Sequence, residues 1–117
     1  MILVDTSVWI DHFRASMAGL IENLQAGVVV THPFVIGELA LGHLRKRTEI
    51  LGLLANLPSL DINAQDAVLR FIDDQRLAGT GIGWVDAHLL FAAASGGASI
   101  FTRDTKLHKQ AARLGLL

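Results

Sequence analysis

Two aspartates each follow a short apolar run. Asp5 comes directly after residues 2–4, and Asp104 comes shortly after residues 99–101. An unbroken apolar run predicts a strand covered on both faces of a parallel sheet, and open parallel sheets keep their sites outside the carboxyl ends of the strands. Both carboxylates are therefore predicted to lie at one edge of a sheet, where such folds carry out their chemistry.

Two further acids lie in otherwise apolar helical segments. Glu38 stands among Phe, Val, Ile, Leu and Ala residues, where a carboxylate costs desolvation energy unless a cation or a metal accompanies it. Asp86 falls in the first turn of a helix, beginning near Trp84, that is apolar all round and is therefore predicted to be buried. A strand or a loop leads into each helix from the same sheet edge, so the four acids are predicted to converge on one cleft.

Four carboxylates in one cleft would repel each other unless a counter-ion lay between them. Ligands that are all oxygen suit Mg²⁺ or Mn²⁺. One ion, or two about 3.5 to 4 Å apart, would stabilise the attacking and leaving oxygens in phosphodiester hydrolysis. Thr6, Ser7 and Thr102 add hydroxyls near the same edge. The pattern therefore predicts a metal-dependent phosphohydrolase or nuclease.

Each of these polar residues also has a simpler structural interpretation. Asp5 and Asp104 are well placed to cap the helices that follow them, and Ser7 is interpreted as a helix cap. Asp86 could complement a helix dipole, and Glu38 could occupy a boundary position. The five histidines lack metal-ligand spacing of the HExxH type and are interpreted as surface or boundary residues. From the residues alone, these alternatives stay open.

Short strands alternate with helices along the chain, which predicts a three-layer α/β/α fold with a mainly parallel sheet. The predicted strands cover residues 2–4, 28–30 and 99–101, with a short edge strand at 60–62. The predicted helices cover residues 7–14, 15–25, 33–45, 48–57, 64–77, 84–95 and 105–114, with a glycine-rich loop at 79–83. The length of 117 residues predicts a single domain over residues 1–117.

The composition excludes several classes of protein. Hydrophobic residues make up 51% of the chain and charged residues 18%, which excludes a disordered chain. The absence of cysteine excludes disulfides, thiolate metal sites and cysteine nucleophiles. No apolar run approaches the length of about 18 residues that spans a bilayer, and Asp5 interrupts the start of any signal sequence. We therefore expect a cytoplasmic protein without a membrane partner.

The net charge of −1 gives no overall footprint for a nucleic acid. Two local basic stretches stand out: residues 45–47, and a C-terminal segment with Arg103, Lys106, Lys109 and Arg113. A helix presenting residues 106, 109 and 113 on one face could bind phosphate, although such rows are more often solvated surface.

Four motifs carry a resemblance to a known family. They are Asp5-Thr6-Ser7-Val8, Glu38 within Glu-Leu-Ala-Leu-Gly, Gly83-Trp84-Val85-Asp86 and Thr102-Arg103-Asp104, in this order over essentially the whole chain. Together they resemble the PIN-domain ribonucleases and, within them, the VapC-type toxins of toxin–antitoxin pairs. The resemblance implies a metal-binding and catalytic set of Asp5, Glu38, Asp86 and Asp104, with Thr102 in support and Mg²⁺ or Mn²⁺ as cofactor. It also implies RNA as substrate, a homodimer, and an antitoxin whose C-terminal segment covers the active site.

One position departs from the pattern of this family. Many relatives carry an acid two residues after the one matched by Asp104, whereas Lys106 stands here, which puts a second metal in doubt and could supply a phosphate contact. Thr6, Arg103 and Lys106 are therefore the candidate residues for contacts to the substrate, together with Thr102. Two rival functions are a PIN-like RNA-maturation nuclease without an antitoxin, and a non-catalytic module whose acidic pocket binds an ion or a basic peptide. The apolar composition, with Trp9, Phe13 and Trp84 available, further predicts a dimer and an amphipathic partner helix.

Overall fold

A parallel sheet of three short strands lies at the centre of the computed structural model, which describes residues 1–117. The strands are β1 (Ile2–Val4), β2 (Val29–Val30) and β3 (Ser99–Phe101). Their order is β2-β1-β3, and in register Leu3 lies opposite Val30 on one side and Ile100 on the other. The three strands predicted from the apolar runs are therefore present and parallel.

Helices cover both faces of this sheet. Leu3 and Val4 are consecutive residues of the central strand, so their side chains point to opposite faces. Both are 0% exposed. Each face must therefore be covered by packed side chains, and the prediction of a three-layer α/β/α fold is confirmed.

Seven helices surround the sheet. They are α1 (Thr6–Arg14), α2 (Ala18–Gln25), α3 (Pro33–Leu41), α4 (Arg47–Ala55), α5 (Gln65–Asp74), α6 (Trp84–Gly96) and α7 (Thr105–Arg113). Their fully buried leucines include Leu20, Leu39, Leu89, Leu90 and Leu107, which join the strand residues in one hydrophobic core. The predicted burial of α6 is confirmed, because six of its residues are buried.

Each strand leads into a helix at its carboxyl end. The N-cap positions of α1, α3 and α7 are Asp5, His32 and Asp104. Because the three strands are parallel, the N-termini of these helices lie at one edge of the sheet. The strand order reverses at β1, and open α/β sheets form a crevice for ligands at the carboxyl edge beside such a point.

Several predicted boundaries differ from the structure. Helix α5 ends at Asp74 and not at residue 77, since Arg76 has a positive φ of 55°. Helix α2 begins at Ala18 and not at Ala15, since Ala15 has extended dihedral angles after α1. Helix α3 ends at Leu41 and not near Arg45, since the backbone is extended at Gly42. The edge strand predicted at residues 60–62 is reduced to a bridge between Thr31 and Ser59.

The segment between α5 and α6 is a loop, as the glycines predict. Gly79 and Gly81 have φ angles of +76° and +87°, a left-handed region that side chains other than glycine rarely adopt. This loop brings the N-terminus of α6 to the sheet edge without a preceding strand. None of the seven helices combines the length and the apolar character that crossing a bilayer requires.

Candidate active site

Asp5 is buried at the carboxyl end of β1 and is held by two hydroxyls. Its Oδ2 accepts hydrogen bonds from Ser7 Oγ at 2.7 Å and from Thr102 Oγ1 at 2.8 Å. Although Asp5 occupies the N-cap position of α1, its carboxylate makes no capping bond. The capping interpretation of Asp5 is therefore wrong, and the side chain belongs to the crevice.

Ser7 joins the first and last parts of the chain. Its Oγ lies 3.3 Å from Thr102 Oγ1 and accepts a hydrogen bond from the backbone N–H of Arg103 at 3.0 Å. Its interpretation as a helix cap is therefore wrong. Its place two residues after Asp5, at a strand end, was the signal in the sequence for a role beside that carboxylate.

Glu38 reaches the crevice from the exposed side of α3. This helix buries Val35 and Leu39, which leaves Glu38 in solvent on another face. Its Oε1 accepts a hydrogen bond from Thr6 Oγ1 at 2.8 Å. We expected this carboxylate to be desolvated, and that expectation was wrong. Although most residues of α3 are apolar, only one stripe of the helix is buried, and Glu38 lies outside it. The predicted location near Asp5 is nevertheless the one that the structure shows.

Asp86 is the half-buried acid of the group, in the first turn of α6. Burial raises the pKa of its carboxyl, and the negative charges of Asp5, Asp104 and Glu38 raise it further, while the Gly83 N–H opposes this at 3.3 Å from Oδ2. Asp5, Asp104 and Glu38 therefore all lie within electrostatic range of Asp86. Asp86 also lies near the N-terminus of α6, where the helix dipole favours a carboxylate. The residue can therefore complement the dipole and also belong to the cleft.

Asp104 caps α7, as one interpretation of the sequence predicts. Its Oδ1 accepts hydrogen bonds from the backbone N–H groups of Lys106 and Leu107, both at 2.9 Å. Its own N–H donates to Thr102 Oγ1 at 3.0 Å, which links the cap to the hydroxyl that holds Asp5. Capping therefore holds the carboxylate of Asp104 beside the crevice, so the residue caps α7 and also belongs to the site.

The four acids share a feature that suits a hard cation. Each has one carboxylate oxygen engaged in a hydrogen bond and one without a protein donor: Asp5 Oδ1, Glu38 Oε2, Asp86 Oδ1 and Asp104 Oδ2 are free. Oxygen donors of this kind fit Mg²⁺ or Mn²⁺. As the side chains stand, no three of them are close enough to surround a single ion, so coordination would require rotation of side chains.

The basic candidates near the site differ in availability. Arg103 Nε lies 3.6 Å from Asp11 Oδ2, an exposed pair that draws the guanidinium toward α1. Lys106 extends over the loop before α6, since a Cβ built on Gly81 would lie 3.0 Å from its Cδ. Arg113 donates to the carbonyl of Gln75 at 2.6 Å. The predicted basic face of α7 is therefore partly committed to the fold.

An aromatic cluster joins the start of α3 to α6 and was missed from the sequence. Its rings follow the order His32, Phe34, His88 and Trp84. Its successive ring centroids are 5.0, 4.9 and 4.6 Å apart, in edge contacts. His32 is 0% exposed and His88 is 3% exposed, so their interpretation as surface or boundary residues is wrong. Burial lowers the pKa of both rings, and the neighbouring His88 lowers that of His32 further.

Comparison with known proteins identifies the family of this chain. The family model described as "PIN domain" matches residues 2–113. Ribonuclease VapC32 of Mycobacterium tuberculosis, in strains CDC 1551 and H37Rv, is 49% identical over 117 residues, covering 99% of this chain and 94% of the relative. The crystal structure of PAE2754 from Pyrobaculum aerophilum matches 99% of this chain and 96% of that chain with a TM-score of 0.63, and at 18% identity it shows a shared fold. The chain therefore belongs to the PIN-domain family and, within it, is homologous to a VapC-type ribonuclease.

Proposed function

We propose that this chain is a metal-dependent endoribonuclease and the toxin of a type II toxin–antitoxin pair. The homology to ribonuclease VapC32 supports RNA as the substrate. The observation that carries the proposal is the convergence of three acids on Asp86 of α6: Glu38 of α3 and the N-cap residues of α1 and α7, Asp5 and Asp104. Asp5, Glu38, Asp86 and Asp104 are the proposed catalytic and metal-binding set.

Electrostatics favour a cation in this site. An RNA phosphate would be repelled by four carboxylates, and no lysine or arginine forms an ion pair with any of them. A bound Mg²⁺ or Mn²⁺ would neutralise the acids, polarise the phosphoryl group and activate water. The free oxygens of the four carboxylates are the proposed ligands.

The remaining residues of the site hold the acids and receive the phosphate. Ser7 and Thr102 each donate to Asp5, and Thr6 donates to Glu38, so the rotation that coordination requires would start from defined side-chain positions. The N-termini of α1, α6 and α7 lie at the same edge, and helix N-termini favour anions. Lys106 is the proposed phosphate contact on the α7 side. In the reaction, a water oxygen would attack phosphorus and give up a proton, while the bond from phosphorus to one ribose oxygen breaks and that oxygen takes up a proton to become a hydroxyl.

The test is cleavage of a single-stranded RNA pool by the purified chain with Mg²⁺, with Mn²⁺ and with excess chelator. We expect cleavage only with a metal present. Changing Asp5, Glu38 or Asp104 singly to the amide should lower the rate by at least about 100-fold, since each removes a ligand charge. Asp74→Asn, which removes an exposed acid at the end of α5, is the matched control and should cleave at the parental rate.

Two results would contradict the metal-dependent mechanism. Full cleavage in chelator would show that the reaction needs no metal. Equal activity of the Asp5→Asn and Asp74→Asn proteins would show that Asp5 has no role in cleavage. An absence of cleavage in every condition would instead favour a non-catalytic acidic pocket.

An apolar groove between α1, α2 and α4 is the proposed seat of an antitoxin helix. It has a volume of about 320 Å³, and seven of its eight lining residues are hydrophobic. They include Trp9, Phe13 and Leu53, and Leu53 is 64% exposed. An amphipathic helix could bury this surface by laying its apolar face in the groove.

Antitoxin pairing can be tested in cells. Induced expression should arrest bacterial growth, and co-expression of a small partner encoded beside the gene should relieve the arrest. The variant Leu53→Glu should stay toxic in the presence of the partner, because a charge would be buried in the groove. Growth arrest without any relieving partner would favour a nuclease of RNA maturation.

A further inference from the structure

A basic cavity adjoins the acidic site on its α3 side. It has a volume of about 680 Å³ and lies between α1, α3, the loop of residues 42–46 and the start of α4. Its wall contains Glu38 together with the basic side chains of Arg14, His43, Arg45 and Lys46. Glu38 is one of the four acids and is bonded to Thr6, so the cavity opens directly from the proposed reaction centre.

The basic residues of this cavity are the largest group of uncommitted cations in the protein. Of the ten lysines and arginines, four are engaged: Arg47 bonds the Ala40 carbonyl, Arg113 bonds the Gln75 carbonyl, and Arg70 and Arg103 form ion pairs. Six have no side-chain partner, and Arg14, Arg45 and Lys46 among them line this single cavity. In a chain of net charge −1, an RNA strand needs such a local group of cations.

The loop of residues 42–46 has a strained backbone conformation at Lys46. Lys46 has φ +54° and ψ +43°, in the left-handed region where a glycine would be less strained. The neighbouring Arg47 fixes the loop, since its Nε and Nη2 donate to the carbonyl of Ala40 at 3.1 and 2.8 Å. The left-handed backbone at Lys46 places its side chain in the wall of the cavity, beside Arg14 and Arg45.

We propose that this cavity is a phosphate-binding subsite for the RNA strand, which holds the phosphates next to the one that is cut. The inference rests on the proposed function and adds to it the place where the RNA backbone is held. Arg14, Arg45 and Lys46 are its binding residues, with His43 at its rim. Their contacts are to phosphates, so the subsite supplies affinity and register and does not select bases.

The experiment measures RNA binding without cleavage. A fluorescein-labelled 12-nucleotide single-stranded RNA of random sequence is titrated with the protein in chelator, at a series of salt concentrations. For single strands, the slope of log affinity against log salt falls by about 0.7 for each phosphate contact removed. Arg14→Gln and Lys46→Gly should each lower the slope by about that amount, and Arg14→Gln/Arg45→Gln/Lys46→Gly by about 2.

Arg76→Gly is the matched control. Arg76 is the other non-glycine residue with positive φ, at +55°, and it is an exposed cation that does not line this cavity. Lys46→Gly and Arg76→Gly therefore remove the same charge and relieve the same backbone strain. The proposal expects a reduced slope only for Lys46→Gly, with both proteins melting no lower than the parent. The thermal melts distinguish a folding defect in a variant from the loss of a phosphate contact.

The possible outcomes separate this subsite from the proposed function. If the parent cleaves RNA with Mg²⁺ but Lys46→Gly and Arg14→Gln keep the parental slope, the subsite is overturned and the nuclease stands. If the slope falls as expected while the parent cleaves no RNA, the subsite stands and the nuclease is overturned. If the slope is unchanged but the same variants lose binding of an oligoglutamate peptide, the cavity receives an acidic protein segment and the subsite is overturned.

Discussion

At the scale of single residues, each acid of the site is held by a different set of hydrogen bonds. Asp5 is held by hydroxyls, Glu38 by a threonine, and Asp104 by the N–H groups of its own helix. Asp86 has only the long contact to the Gly83 N–H, at 3.3 Å. It is therefore the carboxylate whose charge is least compensated, and burial with three neighbouring acids raises its pKa.

The variant Asp86→Asn tests this stored repulsion. Because the folded pKa is raised, the ionised carboxylate lowers stability at neutral pH, and Asn should remove that cost. In chelator at pH 7 we expect the variant to melt at or up to about 4 °C above the parent. The gap should narrow as the pH falls through the folded pKa, and should vanish below the ordinary value of 3.8.

The same two proteins are also melted in the presence of Mg²⁺. The parent should gain stability with the metal by mass action, and the variant should gain much less because one ligand charge is gone. If Asp86 only complements the dipole of α6, Asn loses about 0.3 to 1 kcal/mol and melts lower than the parent. A destabilised variant together with no response of the parent to Mg²⁺ would exclude the acidic metal site.

At the scale of elements, the start of α3 depends on a buried histidine. His32 occupies the N-cap of α3, and its Nδ1 accepts a hydrogen bond from the Phe34 N–H at 2.9 Å. The ring is therefore neutral in the fold, with its proton on Nε2. Burial, and the nearby His88, lower its pKa. The carboxyl edge of β2 thus contains a histidine whose charged form is disfavoured by burial.

This arrangement predicts a loss of stability in mild acid. Below about pH 6.5 the unfolded chain binds protons that buried His32 and His88 do not, so the free energy of unfolding falls as the pH drops toward their lowered folded pKa values. Each histidine contributes at most about 1.4 kcal/mol per pH unit in that interval. Above pH 7 their contribution is constant.

The variant His32→Asn separates capping from titration. Asn is a good N-cap, so α3 should form, while the lost ring packing should cost about 1 to 3 kcal/mol at pH 7.5. Urea unfolding at pH 7.5 and 5.5 should then show a smaller acid loss than in the parent, because one titrating group is gone. An equal acid loss in both proteins would assign the effect to groups other than His32.

At the scale of the whole molecule, the surface carries large apolar side chains that the fold does not cover. Leu41, at the end of α3, is 90% exposed, and Leu53 on α4 is 64% exposed. Helices α3 and α4 pack against each other. Since burying one leucine is worth about 1.5 to 3 kcal/mol, this surface favours association with another chain.

We expect the protein to be a dimer at micromolar concentration, with Leu41 at the contact. Leu41→Ser removes one leucine from each subunit and should weaken dimerisation by at least about 100-fold, because burying each leucine is worth about 1.5 to 3 kcal/mol. Leu69→Ser on α5, where Leu69 is 50% exposed, is the control and should leave the dimer intact. Sedimentation velocity of the three proteins measures this, and a monodisperse parental monomer would contradict the prediction.

The sequence by itself determined the three parallel strands, the fold class and the family. Unbroken apolar runs require burial on both faces, and such strands occur in sheets covered by helices. It also determined that Asp5 and Asp104 lie at one edge, because the carboxyl ends of parallel strands meet there. The match of the PIN-domain model to residues 2–113 confirms the resemblance that the four motifs carried. The assignment of the four acids as the catalytic set stays a prediction.

The tertiary structure alone decided how these acids are held and what lies beside them. The bond between Thr102 and Asp5 joins residues 97 positions apart, and composition gives no sign of such a contact. Glu38 is exposed because only one stripe of α3 faces the core, which the apolar letters around it conceal. The basic cavity requires α3 to end at Leu41, so that residues 42–46 turn back toward α1. Packing between distant elements sets these features, whereas local pattern sets the elements themselves.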